Sequence, residues 1–397
     1  MSTLSQQMFE NAELSFAAYA TLAPGMTGPD MEDRLKGAGF SETQARRFAQ
    51  QYRVVDQYTD SSNGLSVTFF EKLTGNPPEQ IIAVRGTEFA TDFLNDVVLA
   101  DVVGIGTSPD GKDLAQYQSL RRAVDLWLGR SANNLRPGFS VAGHSLGGYL
   151  GGVLTGDLST QVDNAYLYNA PGTASIAGLL GQTLISRFGL SDWGPQNITE
   201  IEGSAGASLI AGIGADFSSK KVIAETESQS NGFDNHSIVV LTDALAVYAA
   251  YSALAPSLSE AQIAQILKSG SATNKGTLEG ALDALRKTLI GAGVTDTPEG
   301  NRESLYTNLY ALQDSDAYRA LKGGANLRVL ASLDAGGMVS RAASDFGDFF
   351  AVKYLLPVAI EGSSTVLSTI HPDLYAEWQA DQTKRNAGQE DLTYTDA

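Results

Sequence analysis

The chain has 397 residues, of which 43% are hydrophobic and 8% aromatic, so it is long enough for two or three packed domains and too long for a peptide or mini-protein. Its 27 basic and 45 acidic residues give a net charge of −18, which disfavours nucleic acid and anionic membranes as partners. It has no cysteine, which excludes disulfides, thiol nucleophiles and cysteine-bound metals.

Strand and helix patterns alternate over the first part of the chain. The predicted helices, taken from apolar residues at helical spacing, are residues 11–22, 30–52 and 114–128. The predicted strands, taken from β-branched and aromatic runs, are residues 52–59, 65–73, 80–84, 139–142, 166–168 and 198–201. Ser41 and Gln44 have the spacing of a capping box. This alternation predicts an α/β fold with a mostly parallel sheet and helices on both faces.

The pattern changes after about residue 255. Beyond it the amphipathic segments have helical spacing, and they are residues 258–267, 278–289 and 303–321. We therefore predict a first domain, residues 1–255, and a mainly helical extension, residues 256–397. The polar end of the extension, residues 379–397, is expected to fray.

Residues 143–147 read Gly-His-Ser-Leu-Gly and directly follow the predicted strand at 139–142. In the nucleophile elbow of hydrolases, a serine sits in this pattern at a sharp turn between a strand and a helix. The glycines leave room for the neighbouring strand and helix, and the amino end of the helix favours the negative charge of an oxyanion. The pattern predicts Ser145 as a nucleophile.

A serine nucleophile needs a base, and the chain has three histidines. His144 lies inside the elbow, where we expect it to face away from the nucleophile and shape the turn. His371 lies at a helix boundary near the end of the chain. His236 follows a loop rich in Gly, Asn and Asp, and it comes after Ser145 in the chain order that α/β-hydrolases use. His236 is therefore the predicted base.

The third member of a triad is a carboxylate that orients the base, and it should follow a strand between the serine and the histidine. The strand at 198–201 leads to Glu202, which we predict as the acid because glutamate fills this role in some esterases. Asp216 and Glu225 are the alternatives.

Two backbone N–H groups are expected to bind the oxyanion. One belongs to Leu146, the residue after the nucleophile. The other is expected from Thr87, which ends an Arg-Gly-Thr segment after the strand at 80–84. This chemistry needs no metal or organic cofactor, and the sequence contains no EF-hand loop or other dense spacing of metal ligands.

Arg-Gly-Thr at 85–87, the Phe and Asp spacing at 89–96 and the elbow resemble the fungal-type (class 3) lipase family of α/β-hydrolases. The resemblance covers about residues 50–250. It implies a lid helix at residues 88–95, leading into the apolar residues 97–105. An apolar lid over an apolar cleft would open when a lipid surface replaces its contacts.

Two other segments are more similar to the lipase-like domains of bacterial RTX-type secreted proteins. They are Tyr-Asn-Ala-Pro-Gly at 168–172 and Asp-Asn-His-Ser-Ile at 234–238. Fungal-type lipases carry Asp-Pro where this chain has Gly-Ser-Ala at 203–205. Because of this departure, the identity of the triad acid stays open, and a Ser–His dyad without an acid is one of the alternatives.

The motifs and the resemblance predict a serine hydrolase that cleaves carboxylic esters of lipids, of the triacylglycerol lipase or phospholipase A1 type, at a membrane or micelle surface. One alternative is a non-catalytic hydrolase-fold domain that binds a lipid or a partner. Another is acyl transfer to an acceptor other than water, since the fold alone does not fix the function.

The chain start has neither a basic segment nor an apolar one behind it, so no secretory signal peptide is predicted. No run of 18 apolar residues predicts a transmembrane helix. An acidic, Gly-rich, cysteine-free composition is found in bacterial proteins exported by a carboxy-terminal signal and also in cytosolic proteins. We expect secretion without an amino-terminal signal peptide, or a cytoplasmic location.

Overall fold

The computed structural model describes residues 2–86, 112–171, 197–205, 216–227, 236–269 and 278–387. The chain divides into two compact units, one formed by Met8–Thr242 and the other by Met1–Gln7 with Asp243–Ala397. The division falls inside a helix, Ile238–Leu254, and the boundary after residue 255 stays a prediction.

Three helices precede the sheet of the first unit along the chain. They are α1 (Leu4–Ala17), α2 (Gly28–Gly37) and α3 (Glu42–Ala49). The single helix predicted over residues 30–52 is wrong, because the chain turns at Gly39, whose φ of 106° lies in the left-handed region. The Ser41 half of the predicted capping box is confirmed, since its hydroxyl accepts a hydrogen bond from the Gln44 N–H at 3.1 Å and starts α3. The Gln44 side chain donates to Glu13 at 3.1 Å.

A seven-stranded sheet follows, with its strands in the order β1-β2-β3-β4-β5-β6-β7. The strands are β1 (Tyr52–Asp60), β2 (Leu65–Gly75), β3 (Pro78–Val84), β4 (Phe139–His144), β5 (Val162–Tyr168), β6 (Ile198–Gly203) and β7 (Lys221–Ala224). The first three strands are antiparallel, and all strands from β3 to β7 are parallel. The mostly parallel sheet confirms the predicted α/β-hydrolase fold class.

Helices α4 (Lys112–Leu128) and α5 (Leu146–Asp157) cover one face of this sheet. Their apolar side chains form a core with inward-facing strand residues such as Phe69, Val141 and Leu167. Trp127 is almost fully buried there, and burial of a side chain of this size contributes about 1.5 to 3 kcal/mol. On the opposite face, the Tyr168 hydroxyl donates to the Met8 carbonyl of α1 at 2.6 Å. Both faces of the parallel strands are therefore fixed by packed helices.

The second unit is mainly helical, as predicted for the extension. Its helices are the carboxyl part of α6 (Ile238–Leu254), α7 (Glu260–Ser269), α8 (Leu278–Leu289), α9 (Arg302–Asp314), α10 (Asp316–Leu321), α11 (Ala335–Ala342), α12 (Phe346–Lys353), α13 (Ser364–Ile370) and α14 (Pro372–Asn386). Two short antiparallel strands, β8 (Asn326–Val329) and β9 (Val358–Glu361), were not predicted. None of the helices in the described ranges is long and apolar enough to cross a membrane.

The predicted fraying from residue 379 is wrong for the first part of that segment, because α14 continues to Asn386. Trp378 donates its indole N–H to the Ala342 carbonyl at 3.0 Å, and the Gln382 amide donates to the Ala343 carbonyl at 2.6 Å. These two bonds attach the helix to the end of α11. Polar composition alone did not show that its side chains have backbone partners within the unit.

Candidate active site

Ser145 lies at the junction of β4 and α5, at the carboxyl edge of the parallel strands. Its φ of 56° and ψ of −127° are unusual for a residue with a side chain. The Ser145 N–H donates to the Tyr168 carbonyl at 2.9 Å, which fixes the turn to the neighbouring strand β5. The strand, turn and helix are those expected of a nucleophile elbow.

The glycines of the motif are required by close backbone contacts. A methyl group on Gly143 would lie 2.4 Å from the Gly147 oxygen, and one on Gly147 would lie 2.2 Å from the Val84 oxygen. A methyl group on Gly148 would lie 2.7 Å from the Ala170 side chain. Real Cβ contacts are longer than 3 Å, so the glycines let β3, β4 and the start of α5 approach each other at the turn.

The strained backbone at Ser145 gives a stability prediction. Ser145→Gly is expected to raise the free energy of unfolding by roughly 1 kcal/mol relative to Ser145→Ala, because glycine adopts a positive φ without cost to its side chain. Thermal unfolding of the two variants measures this difference. Equal stability, or a less stable glycine variant, would show that the turn is not strained.

The loop after β3 approaches the serine from the side expected for an oxyanion-binding group. A methyl group on Gly86 would lie 2.5 Å from the His144 oxygen and 3.3 Å from the Ser145 Cβ. Leu146 begins α5 directly after the serine, so its N–H is in the first turn, where helix N–H groups lack carbonyl partners within the helix. Thr87, the other predicted donor, and the predicted lid at 88–95 lie outside the described residues.

The predicted base, His236, lies next to the elbow. Its ring centre is 4.9 Å from that of His144, and both histidines are buried at 2% exposure. His236 therefore lies beside the residue that precedes Ser145, and its role as the base of that serine stays a prediction.

The backbone carbonyl of His236 accepts two hydrogen bonds. One comes from His144 Nε2 at 2.8 Å, and the other from Asn169 Nδ2 at 3.1 Å. His144 Nδ1 is in turn 2.9 Å from the Tyr19 hydroxyl, and Asn169 Oδ1 accepts from the Gly203 N–H at 3.0 Å. The expectation that His144 shapes the turn was therefore incomplete, because its ring also contacts the predicted base.

Burial keeps both histidines neutral near pH 7. It lowers the pKa of His144 to about 4, although the hydrogen bond to the His236 carbonyl acts in the opposite direction. Burial also lowers the pKa of His236 well below 6.5, and His144 beside it lowers that pKa further. A neutral imidazole is the form that can accept a proton from a serine.

The predicted acid, Glu202, is engaged elsewhere. Its carboxylate is 2.7 Å from Lys221 Nζ, and Asp216 binds the same ammonium at 3.1 Å. Burial raises the pKa of Glu202, with Lys221 lowering and Asp216 raising it. Glu225 is half-buried just after β7. The structure brings Glu202 and Asp216 together at Lys221, and the acid assignment stays a prediction.

The alternation of side chains along the strands places Glu202 and His144 on opposite faces of the sheet. Glu200 is paired with Leu167, whose side chain faces the core under α5, so Glu200 lies on that same face. Glu202 shares this face because it is two residues further along the strand. His144 is three residues beyond the core residue Val141, so its side chain faces the opposite side of the sheet, where α1 lies. Its hydrogen bond to Tyr19, which follows α1, supports this.

A cavity of about 330 Å³ lies away from this site, at the amino ends of β3, β4 and β5. It is lined by Pro77, Pro78, Glu79, Gln80, Arg136, Pro137, Gly138, Phe139, Ser140, Asp163 and Asn164. Because Ser145 follows the carboxyl end of β4, the cavity is at the other edge of the sheet and does not serve the serine.

Two residues of the site, Tyr19 and Asn169, were not identified as such from the sequence. Asn169 had a signal, since it lies in the Tyr-Asn-Ala-Pro-Gly segment at 168–172 that carries a resemblance, and its φ of 44° marks an unusual backbone. Tyr19 had none, because its contact with His144 spans 125 residues. No cluster of three or more His, Asp or Glu side chains in the described part of the chain could hold a metal ion.

No family model and no curated protein matches this chain. Solved structures similar to it include the Lip2 lipase from Yarrowia lipolytica, at 14% identity over 59% of this chain and 84% of that chain, with a TM-score of 0.36. A lipase from Rhizopus microsporus var. chinensis has 13% identity over 52% of this chain and 69% of its own, with a TM-score of 0.30.

A triacylglycerol lipase from Penicillium expansum has 12% identity over 57% of this chain and 82% of its own, with a TM-score of 0.29. Likeness at this level carries no conclusion about activity. The function is therefore argued from the residues around Ser145, and the resemblance to RTX-type domains stays a prediction.

Proposed function

We propose that the chain is a serine hydrolase that cleaves carboxylic esters of lipids, of the triacylglycerol lipase or phospholipase A1 type. The observation that carries this proposal is Ser145 at a strained strand-to-helix turn, with His236 buried, neutral and in contact with His144, the residue before the serine. Packing alone does not require a strained residue at this position. Strained backbone of this kind clusters at functional sites, which favours a functional role for the serine.

The reaction has two steps. In the first, His236 accepts the proton of the Ser145 hydroxyl while the oxygen attacks the ester carbonyl carbon, and the resulting oxyanion is bound by the Leu146 and Thr87 N–H groups. The protonated His236 then gives its proton to the leaving alcohol, and the acyl group stays on the serine. In the second, water attacks the acyl-enzyme with His236 again as the base, which releases the acid and restores the serine.

The lipid nature of the substrate is supported by the apolar sequence at 97–105 after the predicted lid and by the resemblance to lipases. The test is labelling of the whole chain with a fluorophosphonate and hydrolysis of p-nitrophenyl butyrate and palmitate. Labelling at Ser145 and faster cleavage of the long ester are the expected results. Labelling with cleavage of only the short ester would leave an esterase without lipid preference, contrary to the proposal.

A non-catalytic lipid- or partner-binding domain is the second candidate. It is favoured by the ion pair that holds Glu202 with Lys221, away from a role as triad acid. Neither labelling nor turnover of any ester would favour this candidate over the hydrolase.

The pH dependence of the reaction follows from the burial of His236. An exposed histidine is half protonated near pH 6.5, but burial lowers the pKa of His236, so its neutral form persists at lower pH. The acid limb of kcat/KM is therefore expected to have its midpoint below pH 6.5. A midpoint at or above 6.5 would contradict this expectation.

The same pKa shifts reduce stability in acid, so initial rates must be measured before unfolding. Unfolded histidines bind protons below about pH 6.5, whereas the folded ones do not, and the free energy of unfolding falls as the pH drops through that range. Thermal unfolding at each pH separates this loss of stability from loss of catalysis.

The proposed acid is tested by three isosteric variants. If Glu202 orients His236, Glu202→Gln is expected to lower kcat by roughly 10³- to 10⁴-fold, because the amide no longer stabilises the imidazolium. Asp216→Asn, which removes a carboxylate from the same lysine, and Glu225→Gln test the two alternatives. Near-normal rates in all three would favour a dyad over Glu202.

A further inference from the structure

We propose that His144 and Asn169 are positioning residues that hold the base through the main-chain carbonyl of His236, with Tyr19 fixing the tautomer of His144. This inference rests on the proposed hydrolase function. In this inference, hydrogen bonds to the main-chain carbonyl of His236 orient the base, in addition to any carboxylate that contacts its ring.

The two donors come from rigid neighbouring elements. His144 is the last residue of β4 and Asn169 directly follows β5, and these strands are paired in parallel. Their N–H groups reach the His236 carbonyl at 2.8 and 3.1 Å. Because both lie at the edge that carries Ser145, the position of the His236 backbone is fixed relative to the nucleophile.

The tautomer of His144 follows from its partners. A carbonyl oxygen only accepts hydrogen bonds, so Nε2 of His144 must carry the proton that reaches the His236 carbonyl. In the neutral ring, Nδ1 then has a lone pair, and the Tyr19 hydroxyl at 2.9 Å donates to it. The Tyr19 bond therefore favours the one neutral tautomer in which His144 can hold the base.

The orientation of the Asn169 amide is fixed in the same way. Its Oδ1 accepts from the Gly203 N–H, so its NH₂ group faces the His236 carbonyl. The Asn169 N–H also donates to the Ile201 carbonyl at 2.8 Å. Asn169 thus connects the end of β6 to the base, and it is fully buried. A buried side-chain amide whose oxygen accepts from an N–H and whose NH₂ group donates to a carbonyl has one orientation.

Kinetics of variants test the positioning role. Asn169→Ala and His144→Ala are each expected to lower kcat about 10- to 100-fold with little change in KM, since a displacement of about 1 Å can cost 10²-fold. His144→Gln keeps an N–H donor and is expected to recover most of the loss. His371→Ala is the matched control, because His371 Nε2 also bonds a backbone carbonyl, that of Thr288 at 2.9 Å, within the second unit.

A second measurement separates positioning from general damage to the fold. If Asn169 acts through His236, Asn169→Ala should not lower the residual rate of a His236→Ala enzyme, because groups that act as a unit are not additive. A reduction by the same factor in both backgrounds would overturn the proposal, as would an equal loss of kcat in His371→Ala.

Nuclear magnetic resonance gives a readout that does not need activity. With only three histidines in the chain, ¹⁵N-histidine labelling yields three rings, which single substitutions assign. His144 is expected as the Nε2–H tautomer, and Asn169→Ala is expected to shift the His236 ring signals while His371→Ala leaves them unchanged.

Unchanged His236 signals in Asn169→Ala, or an Nδ1–H tautomer of His144, would overturn the inference. The absence of ester hydrolysis by the intact chain would instead count against the proposed function, and the spectra would still decide whether the carbonyl is held. The two failures are therefore distinguishable.

Discussion

Replacement of Ser145 by alanine is expected to lower ester hydrolysis by roughly 10⁴- to 10⁶-fold and to abolish fluorophosphonate labelling, because the attacking oxygen is removed. His236→Ala should cause a loss of similar size, and the double variant should be no worse than either single one, since the two residues act in one step. Initial rates on a p-nitrophenyl ester, with the labelled peptide located by mass spectrometry, measure all three.

Ser159→Ala is the control, because Ser159 lies exposed in the turn after α5 and has no part in the site. It should retain the full rate and the label. If Ser145→Ala kept either the full rate or the fluorophosphonate label, the nucleophile would be another residue and the proposed mechanism would lose its basis.

Gly147→Ala is expected to cost more stability than any other single methyl group discussed here. The added carbon would lie 2.2 Å from the Val84 oxygen and 2.6 Å from the Arg85 carbonyl carbon, and these are backbone atoms that cannot rotate away. Relief of the clash requires α5 to move from β3, so we expect a loss of about 3 kcal/mol or more, in the range of severe core disruption. Chemical denaturation measures this loss, and activity should fall with it.

Gly37→Ala is the matched substitution, because Gly37 also lies in a helix and a methyl group there would meet nothing within 4 Å. It should be neutral or stabilising by roughly 0.5 to 1 kcal/mol, since alanine favours the helix. A Gly147→Ala protein as stable as the Gly37→Ala protein would mean that β3 and α5 are less closely packed than the structure shows.

The local part of the site was predictable because its signals are short-range. Gly143 lies against the backbone of Gly147, four positions further on, and the Ser41 cap depends on a residue three positions away. The long strands were found for the same reason, since apolar runs such as that of β4 are buried on both faces. Strand β7 was missed because it has only four residues, of which two are half-buried, one is exposed and one is buried, so it lacks a clear pattern.

The partners of the predicted acid were not predictable. Glu202 follows a strand at the expected place in the sequence, but its carboxylate binds Lys221 of the neighbouring strand, 19 residues further along. Whether a carboxylate faces a histidine or a lysine depends on which face of the sheet it occupies. The pairing of Glu200 with Leu167 sets that face, and no property of residues 198–203 alone reveals it.

By itself the sequence determined the class of the fold and the turn that carries Ser145, and it led to the prediction of His236 among three histidines. These depend on periodicity, on glycine spacing and on elimination, all of which are properties of the chain as written. Only the tertiary structure decided that His144 and Asn169 meet at the His236 carbonyl and that Tyr19 bonds the His144 ring. Those contacts join residues 67 to 125 positions apart, and the parallel order of β4, β5 and β6 brings them together because their carboxyl ends share one edge.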